Sequence, residues 1–295
     1  MATTIDAAFS QYKSNLEITD RQEAMVSTRR ASAVSALAAA LTLNTEQSKV
    51  IGSWDRHTLT RFLSEGDVDV MVILNYGAHK SWDTPDGTVS ALDRFKSILT
   101  AAFPSATVRR DRNCVAIQFS EFRLDVVPAF SNNGGYYEIP DTARRKWLQT
   151  DPIAFATRMT AVNKAMDGDF IPLVKMVKGW NRNEGWPIKS FHLECLMYER
   201  YELYTKGYTY PSMLNAFFAD LPNRLSLPVH DPVRGDRVDG YMDEGSPSRR
   251  LKAIAKARSA ALKSAEAYVD QDKYGPAVAI PEWKALLGTF FPAYG

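Results

Sequence analysis

The chain has only two cysteines in 295 residues, Cys114 and Cys195. Two thiols cannot build a disulfide framework or a cysteine-rich zinc site, and both are expected reduced. The four histidines, His57, His79, His192 and His230, lack the short spacings of metal ligands. An excess of one charge is missing too: 36 Lys and Arg face 34 Asp and Glu, a net +2. That excludes the strong basic surplus of a protein that coats nucleic acid. No run approaches the length of a membrane span, so no transmembrane helix is expected. The start, Met1-Ala2-Thr3-Thr4-Ile5-Asp6, has neither a basic region nor an apolar core, so no signal peptide is expected and the expected compartment is the cytoplasm. No internal repeat is visible, and the only biased stretch is the alanine-rich run 31–40.

What is present is ordinary for a soluble globular protein. Hydrophobic residues make up 45% and charged residues 24%, which excludes a disordered chain. The length predicts one large domain or two lobes. Residues 21–43 lack Gly and Pro, and Asp20 with Glu23 resembles a capping box. They predict a long N-terminal helix, roughly 30 Å for some 20 residues. Asp67–Leu74 is rich in β-branched residues and predicts a buried strand entered at Gly66. Val115–Phe119 and Phe122–Val127 flank Ser120-Glu121 and predict a hairpin, with Pro128 ending its second strand. From Asp151 onward the pattern is helical, with candidates at 152–166, 170–181, 190–204, 212–225, 248–270 and 282–291. The expected division is an α/β lobe over 1–150 and a helical lobe over 151–295, with a boundary near Ser131–Gly135 or somewhat after.

The chemistry concentrates in the first lobe. Gly52-Ser53 follows Val50-Ile51 at the end of a short helix or turn. Asp67 and Asp69 stand two apart on one strand, so period two puts both carboxylates on one face. Asp125 lies inside a second apolar strand. Singly, a Gly-Ser is a turn and an Asp-x-Asp is a strand end. Together, three carboxylates on buried strands are costly as bare charges and become sensible around divalent cations. Hard oxygen donors suit Mg²⁺, and a pair of ions can serve phosphoryl chemistry. Gly52 lets backbone approach a phosphate that the Ser53 N–H and hydroxyl can hold.

This combination resembles the polymerase-beta-like nucleotidyltransferase superfamily, and more closely the bacterial cGAS/DncV-like nucleotidyltransferases (CD-NTases). Leu173–Asn181 and Pro187–Glu194 look like the helical-lobe segments of that family. The resemblance implies an α+β, bilobed fold: a mixed-sheet core with a long N-terminal helix, an all-helical C-terminal lobe, and an active-site cleft between the lobes. It implies catalytic and metal-ligating roles for Asp67, Asp69 and Asp125, with two Mg²⁺ ions for which Mn²⁺ can substitute. It assigns nucleotide binding to Gly52, Ser53, Lys175, Ser190 and Phe191. The implied activity joins NTP substrates, ATP and GTP among them, into a cyclic di- or trinucleotide with release of pyrophosphate. The product would be a second messenger for an effector protein in CBASS-type anti-phage defence. The resemblance also makes Gly295 a candidate for ubiquitin-transfer-like conjugation. Two departures stand out. Residues 54–66 are less Gly- and Thr-rich than in many relatives. No Cys/His insertion is present, which argues against double-stranded DNA as activator.

Two other readings stay open at this level: a toxin-like nucleotidyltransferase that modifies tRNA or protein, and a non-catalytic nucleotide or RNA sensor. Base choice, linkage, ring size, activating signal and oligomeric state are not fixed by the sequence. Arg249, Arg250, Lys252, Lys256, Arg258 and Lys263 make the 248–270 helix basic. Its cations are expected to form a solvated face opposite a buried stripe of Leu251, Ile254, Leu262 and Val269. Cys195 is expected to be a buried structural thiol. Asp231-Pro232-Val233 resembles a family loop at the rim of the site.

Overall fold

The computed structural model describes residues 1–132, 135–245 and 248–295. Asn133 and Gly134, inside the stretch expected to mark the boundary, lie outside the described residues. In chain order the elements begin with α1 (Ile5–Leu16), α2 (Asp20–Ala40), β1 (Leu43–Ile51), the short α3 (Gly52–Asp55) and β2 (Asp67–Leu74). Then come α4 (Tyr76–His79), α5 (Gly87–Ala102), β3 (Thr107–Arg110), β4 (Val115–Gln118), β5 (Arg123–Ser131), β6 (Tyr137–Asp141) and β7 (Lys146–Thr150). The remaining helices are α6 (Pro152–Ala165), α7 (Phe170–Asn183), α8 (Ser190–Tyr201), α9 (Tyr210–Arg224), α10 (Arg249–Lys273) and α11 (Pro276–Leu287). Contacts divide the chain into two compact units, Ile18–Ala156 and the combination of Met1–Glu17 with Thr157–Gly295. The dividing point therefore falls inside α6, and α1 groups with the C-terminal helices. A single cut at 150 has neither feature.

The α/β unit is a seven-stranded mixed sheet with strand order β1-β2-β5-β4-β3, β6 joining β5 and β7 joining β6. Its centre is the parallel pair β2–β5, where Val70, Val72, Leu124 and Val126 are fully buried. Strands covered on both faces read as continuous apolar runs, which is why Asp67–Leu74 was legible. Helix α5 closes the sheet with Leu92, Phe95 and Leu99. The long helix α2 starts at Asp20, the expected cap, and is capped one residue earlier by Thr19. Thr19 accepts from the Gln22 N–H while Gln22 accepts from the Thr19 N–H, a capping box that displaces the Asp20/Glu23 pairing. The expected hairpin forms between β4 and β5. Pro128 does not end β5. It lies between the β4 register, which ends at Val126, and the β6 register, which begins at Phe130. On that flank a missing N–H removes no ladder bond. Val50-Ile51 closes a strand, β1, and not a helix or turn.

The helical unit surrounds α7, whose residues 170–181 are all buried. Tyr12 of α1 donates to the Leu287 carbonyl at 3.2 Å. It also lies against Gly179, where a Cβ would meet the Tyr12 hydroxyl at 2.1 Å; only glycine lets α1 approach so closely. Lys178 and Glu194, both buried, pair at 2.6 Å across α7 and α8. The last helix spans Pro276–Leu287, with Pro276 in its first turn and Pro281 inside it. It therefore begins ahead of the expected start at 282, because one lost hydrogen bond at Pro281 does not break a packed helix. Helix α10 corrects a further expectation. Its buried stripe is small (Ala253, Ala257, Ala260, Ser264 and Ala267), whereas Leu251, Leu262 and Val269 face outward.

Candidate active site

Strand register builds the carboxylate site. Because β2 and β5 run parallel, Asp69 lies directly opposite Asp125, and Asp67 opposite Arg123. On the other side of β2, Ile51 is the register partner of Asp69. The chain then turns at Gly52, whose φ is +73°. A Cβ on Gly52 would lie 2.2 Å from Asp69 Oδ2. The glycine thus meets two demands at once, a left-handed backbone and contact with a carboxylate. The turn is tied down by the Ser53 carbonyl, which accepts from the N–H groups of Thr58 (2.9 Å) and Leu59 (3.0 Å).

The electrostatics show what this arrangement costs. Burial, with the negative charges of Asp67 and Asp125, pushes the Asp69 carboxyl far above the ordinary carboxylate range, against the pull of Arg56 and Arg123. Burial also raises Asp125, countered chiefly by Arg123. Arg123 donates to both Asp125 oxygens, Nε to Oδ1 at 2.5 Å and Nη2 to Oδ2 at 2.8 Å, and reaches Asp111 at 3.1 Å. One guanidinium offsets part of the charge of three carboxylates, and the remainder fits a divalent cation with a taste for hard oxygen donors. The three aspartates do not close to within 4.8 Å of one another. Among the described residues the carboxylates that do are Glu266, Asp270 and Glu282 of the helical unit.

Gly52, Ser53, Asp67, Asp69 and Asp125 therefore all belong to one end of the β1–β2–β5 sheet. Arg56, Asp111, Cys114 and Arg123 are the neighbours that sequence reasoning missed. Arg123 had a signal: two residues before Asp125 on a strand, it must share its face. Burial and the nearby Asp125 raise the Cys114 thiol, so it is unreactive packing, not a nucleophile.

The other expected nucleotide-binding residues belong to the helical unit. Lys175 of α7 is buried and pairs with Glu17 at 2.5 Å. Ser190 is exposed at the first position of α8, where helix N–H groups are left without intrahelical partners. Phe191 follows it, half-buried. Asp231 spends its carboxylate inside its own loop, accepting from the Val233 N–H at 2.8 Å. His192 is buried, with Nδ1 3.1 Å from the Tyr241 hydroxyl. Among the described residues no helix is long and apolar enough to cross a membrane.

Residues 3–163 match the model of the Second Messenger Oligonucleotide or Dinucleotide Synthetase domain. A protein of Acinetobacter sp. named cyclic AMP-AMP-AMP synthase is 29% identical over 283 residues, covering 88% of this chain and 79% of its own length. Vibrio cholerae DncV, solved as a cyclic AMP-GMP synthase, superposes with a TM-score of 0.71 at 14% identity, covering 96% of this chain and 97% of its own. Escherichia coli CdnC, solved with ATP, gives 0.66 at 19% identity over 97% and 98%. With the carboxylates in register and more than half the chain matched by the family model, the chain belongs to the Second Messenger Oligonucleotide or Dinucleotide Synthetase family and is a nucleotidyltransferase of the bacterial CD-NTase type.

Proposed function

We propose that the chain joins nucleoside triphosphates into a cyclic di- or trinucleotide second messenger, with release of pyrophosphate, in CBASS-type anti-phage signalling. The observation that carries this is the Asp69–Asp125 register pair with Gly52 pressed against Asp69. Asp67, Asp69 and Asp125 would hold two Mg²⁺ ions, with Mn²⁺ as a substitute. Bound there, the ions supply Lewis-acid chemistry that eases loss of the acceptor hydroxyl proton and offsets charge on the departing phosphates.

The protein's own groups bind and orient. Gly52 admits the backbone to a phosphate, and Ser53 offers an N–H and a hydroxyl. Arg123 shares Asp125 and opposes the upward pull of burial on its carboxyl. Lys175 exchanges Glu17 for a triphosphate oxygen, Ser190 adds a hydroxyl, and Phe191 offers a ring for a base. The acceptor oxygen forms a bond to the α-phosphorus as the bond to the leaving pyrophosphate breaks. A second such step on the linear dinucleotide closes a two-membered ring, whereas a trinucleotide ring takes one extension and then closure, with one pyrophosphate released for each bond. ATP is the first substrate to supply, because the Acinetobacter relative is named for a triadenylate. The product acts on an effector protein, and Gly295 is a site for conjugation by ubiquitin-transfer-like enzymes, an idea that deletion of Gly295 without loss of conjugate would end.

The test is incubation with the four NTPs and Mg²⁺ or Mn²⁺, phosphatase treatment, and mass spectrometry of resistant products. Asp69→Ala and Asp125→Ala are each expected to abolish them. Product formation unchanged in both variants overturns the metal-site assignment. Label retained on RNA or protein, instead of a free ring, replaces this reading with a macromolecule-modifying one.

A further inference from the structure

Helix α10 turns its small residues inward and its large ones outward. Leu251, Leu262 and Val269 are 61%, 75% and 57% exposed. Together with Ala255, Arg258 and Ala265, also exposed, they recur at alternating spacings of four and three. That is the seam of a helix that packs on another helix, running about 27 Å along one face. The opposite face is already buried in the helical unit through Ala253, Ala257, Ala260 and Ala267.

We propose that this face is an interface with a second copy of the same chain, the two α10 helices packing antiparallel about a twofold axis near residue 260. The charges choose the partner and its direction. The exposed first half carries Arg249, Lys252, Lys256 and Arg258 and no acid, whereas the second half balances Lys263 and Lys273 with Glu266 and Asp272. A parallel copy sets the cations of the first half, Lys252 and Arg258 among them, against their own copies, which is repulsive there. An antiparallel copy sets Leu251 against Val269, Ala255 against Ala265, and Lys252 against Glu266, with each contact made twice by symmetry. Arg258 lies near the axis, where its stem covers Leu262 of the second copy and its head reaches water.

An independent observation marks where the partner lysine goes. Carboxylate oxygens of Glu266, Asp270 and Glu282 gather within 4.8 Å of one another. Burial, with the negative charges of Asp270 and Glu266, raises the Glu282 carboxyl. A lysine delivered by the second copy relieves this cluster.

The experiment is sedimentation equilibrium of the full chain over a concentration series. The mass is expected to rise from 33.0 kDa toward twice that value. Lys252→Glu and Glu266→Lys should each weaken association by about tenfold, and the double charge swap should restore it. For register, Ala255→Cys mixed with Ala265→Cys should form a disulfide under mild oxidation. Ala255→Cys alone should not, because the two copies of that position are about 15 Å apart along the helices. A constant monomer mass at every concentration, a double variant as weak as the singles, or ready cross-linking of Ala255→Cys to itself overturns the proposal.

Discussion

Gly52 carries the sharpest consequence for a single residue. An alanine there must hold a left-handed backbone, which costs about 1–2 kcal/mol for an L residue. Its methyl would also stand 2.2 Å from Asp69 Oδ2, so the carboxylate must move. A shift of about 1 Å in a reacting group costs about a hundredfold in rate. Gly52→Ala is therefore expected to lose product formation by about that factor while unfolding in urea only slightly earlier. Equal losses of activity and fold would mean that Gly52 shapes the turn alone. The aspartates and this glycine were legible because their side-chain chemistry, or lack of a side chain, is unusual for a buried strand. Arg123 was not, since a cation flanking an apolar run looks like a solvated strand end until its partner is known. Lys175 was legible as a cation but its pairing was not, because Glu17 lies 158 positions away in sequence.

At the scale of elements, β2 and β5 were readable because both faces are apolar. The edge strands β1, β3 and β7 carry polar residues at most positions and show no such run. Helix α10 was found but turned the wrong way. Large apolar residues predict the buried face, yet close helix packing here selects alanine, as the buried Ala253, Ala257 and Ala260 show. The α7–α8 contact makes a different demand. Lys178 and Glu194 pair at 2.6 Å with almost no exposure. Removing one partner strands a buried charge, whereas removing both need not. Glu194→Leu is expected to lose about 3–5 kcal/mol of unfolding free energy, and Lys178→Met combined with Glu194→Leu to recover most of it. Urea titrations of the two single variants and the double variant measure the coupling.

At the scale of the whole molecule, the balanced composition conceals charges that are spent internally, and pH should expose them. His192 of the helical unit is buried. It faces the Tyr241 hydroxyl, with Asp239 and Arg250 close enough to act on it. Burial lowers its pKa from 6.5 to about 4, with Asp239 opposing and Arg250 reinforcing that shift. The folded protein therefore keeps the imidazole neutral where the unfolded chain protonates it. Above pH 6.5 both states are neutral and the contribution is fully present. As the pH falls from there to about 4, the unfolded state binds the extra proton and stability drains away, by about 3 kcal/mol at most. Asp239 adds to the loss at still lower pH, because Arg237 and Arg250 hold its carboxyl well below the usual range despite burial. Asp69, whose carboxyl burial pushes up, acts with the opposite sign over part of this range, so the His192 contribution is read as the difference in urea midpoint between wild type and a His192 variant from about pH 7.5 to about pH 4.5. His192→Asn cannot take up that proton. Whatever its stability at neutral pH, it should lose distinctly less across the same interval, and an equal loss would place the acid sensitivity elsewhere in the fold.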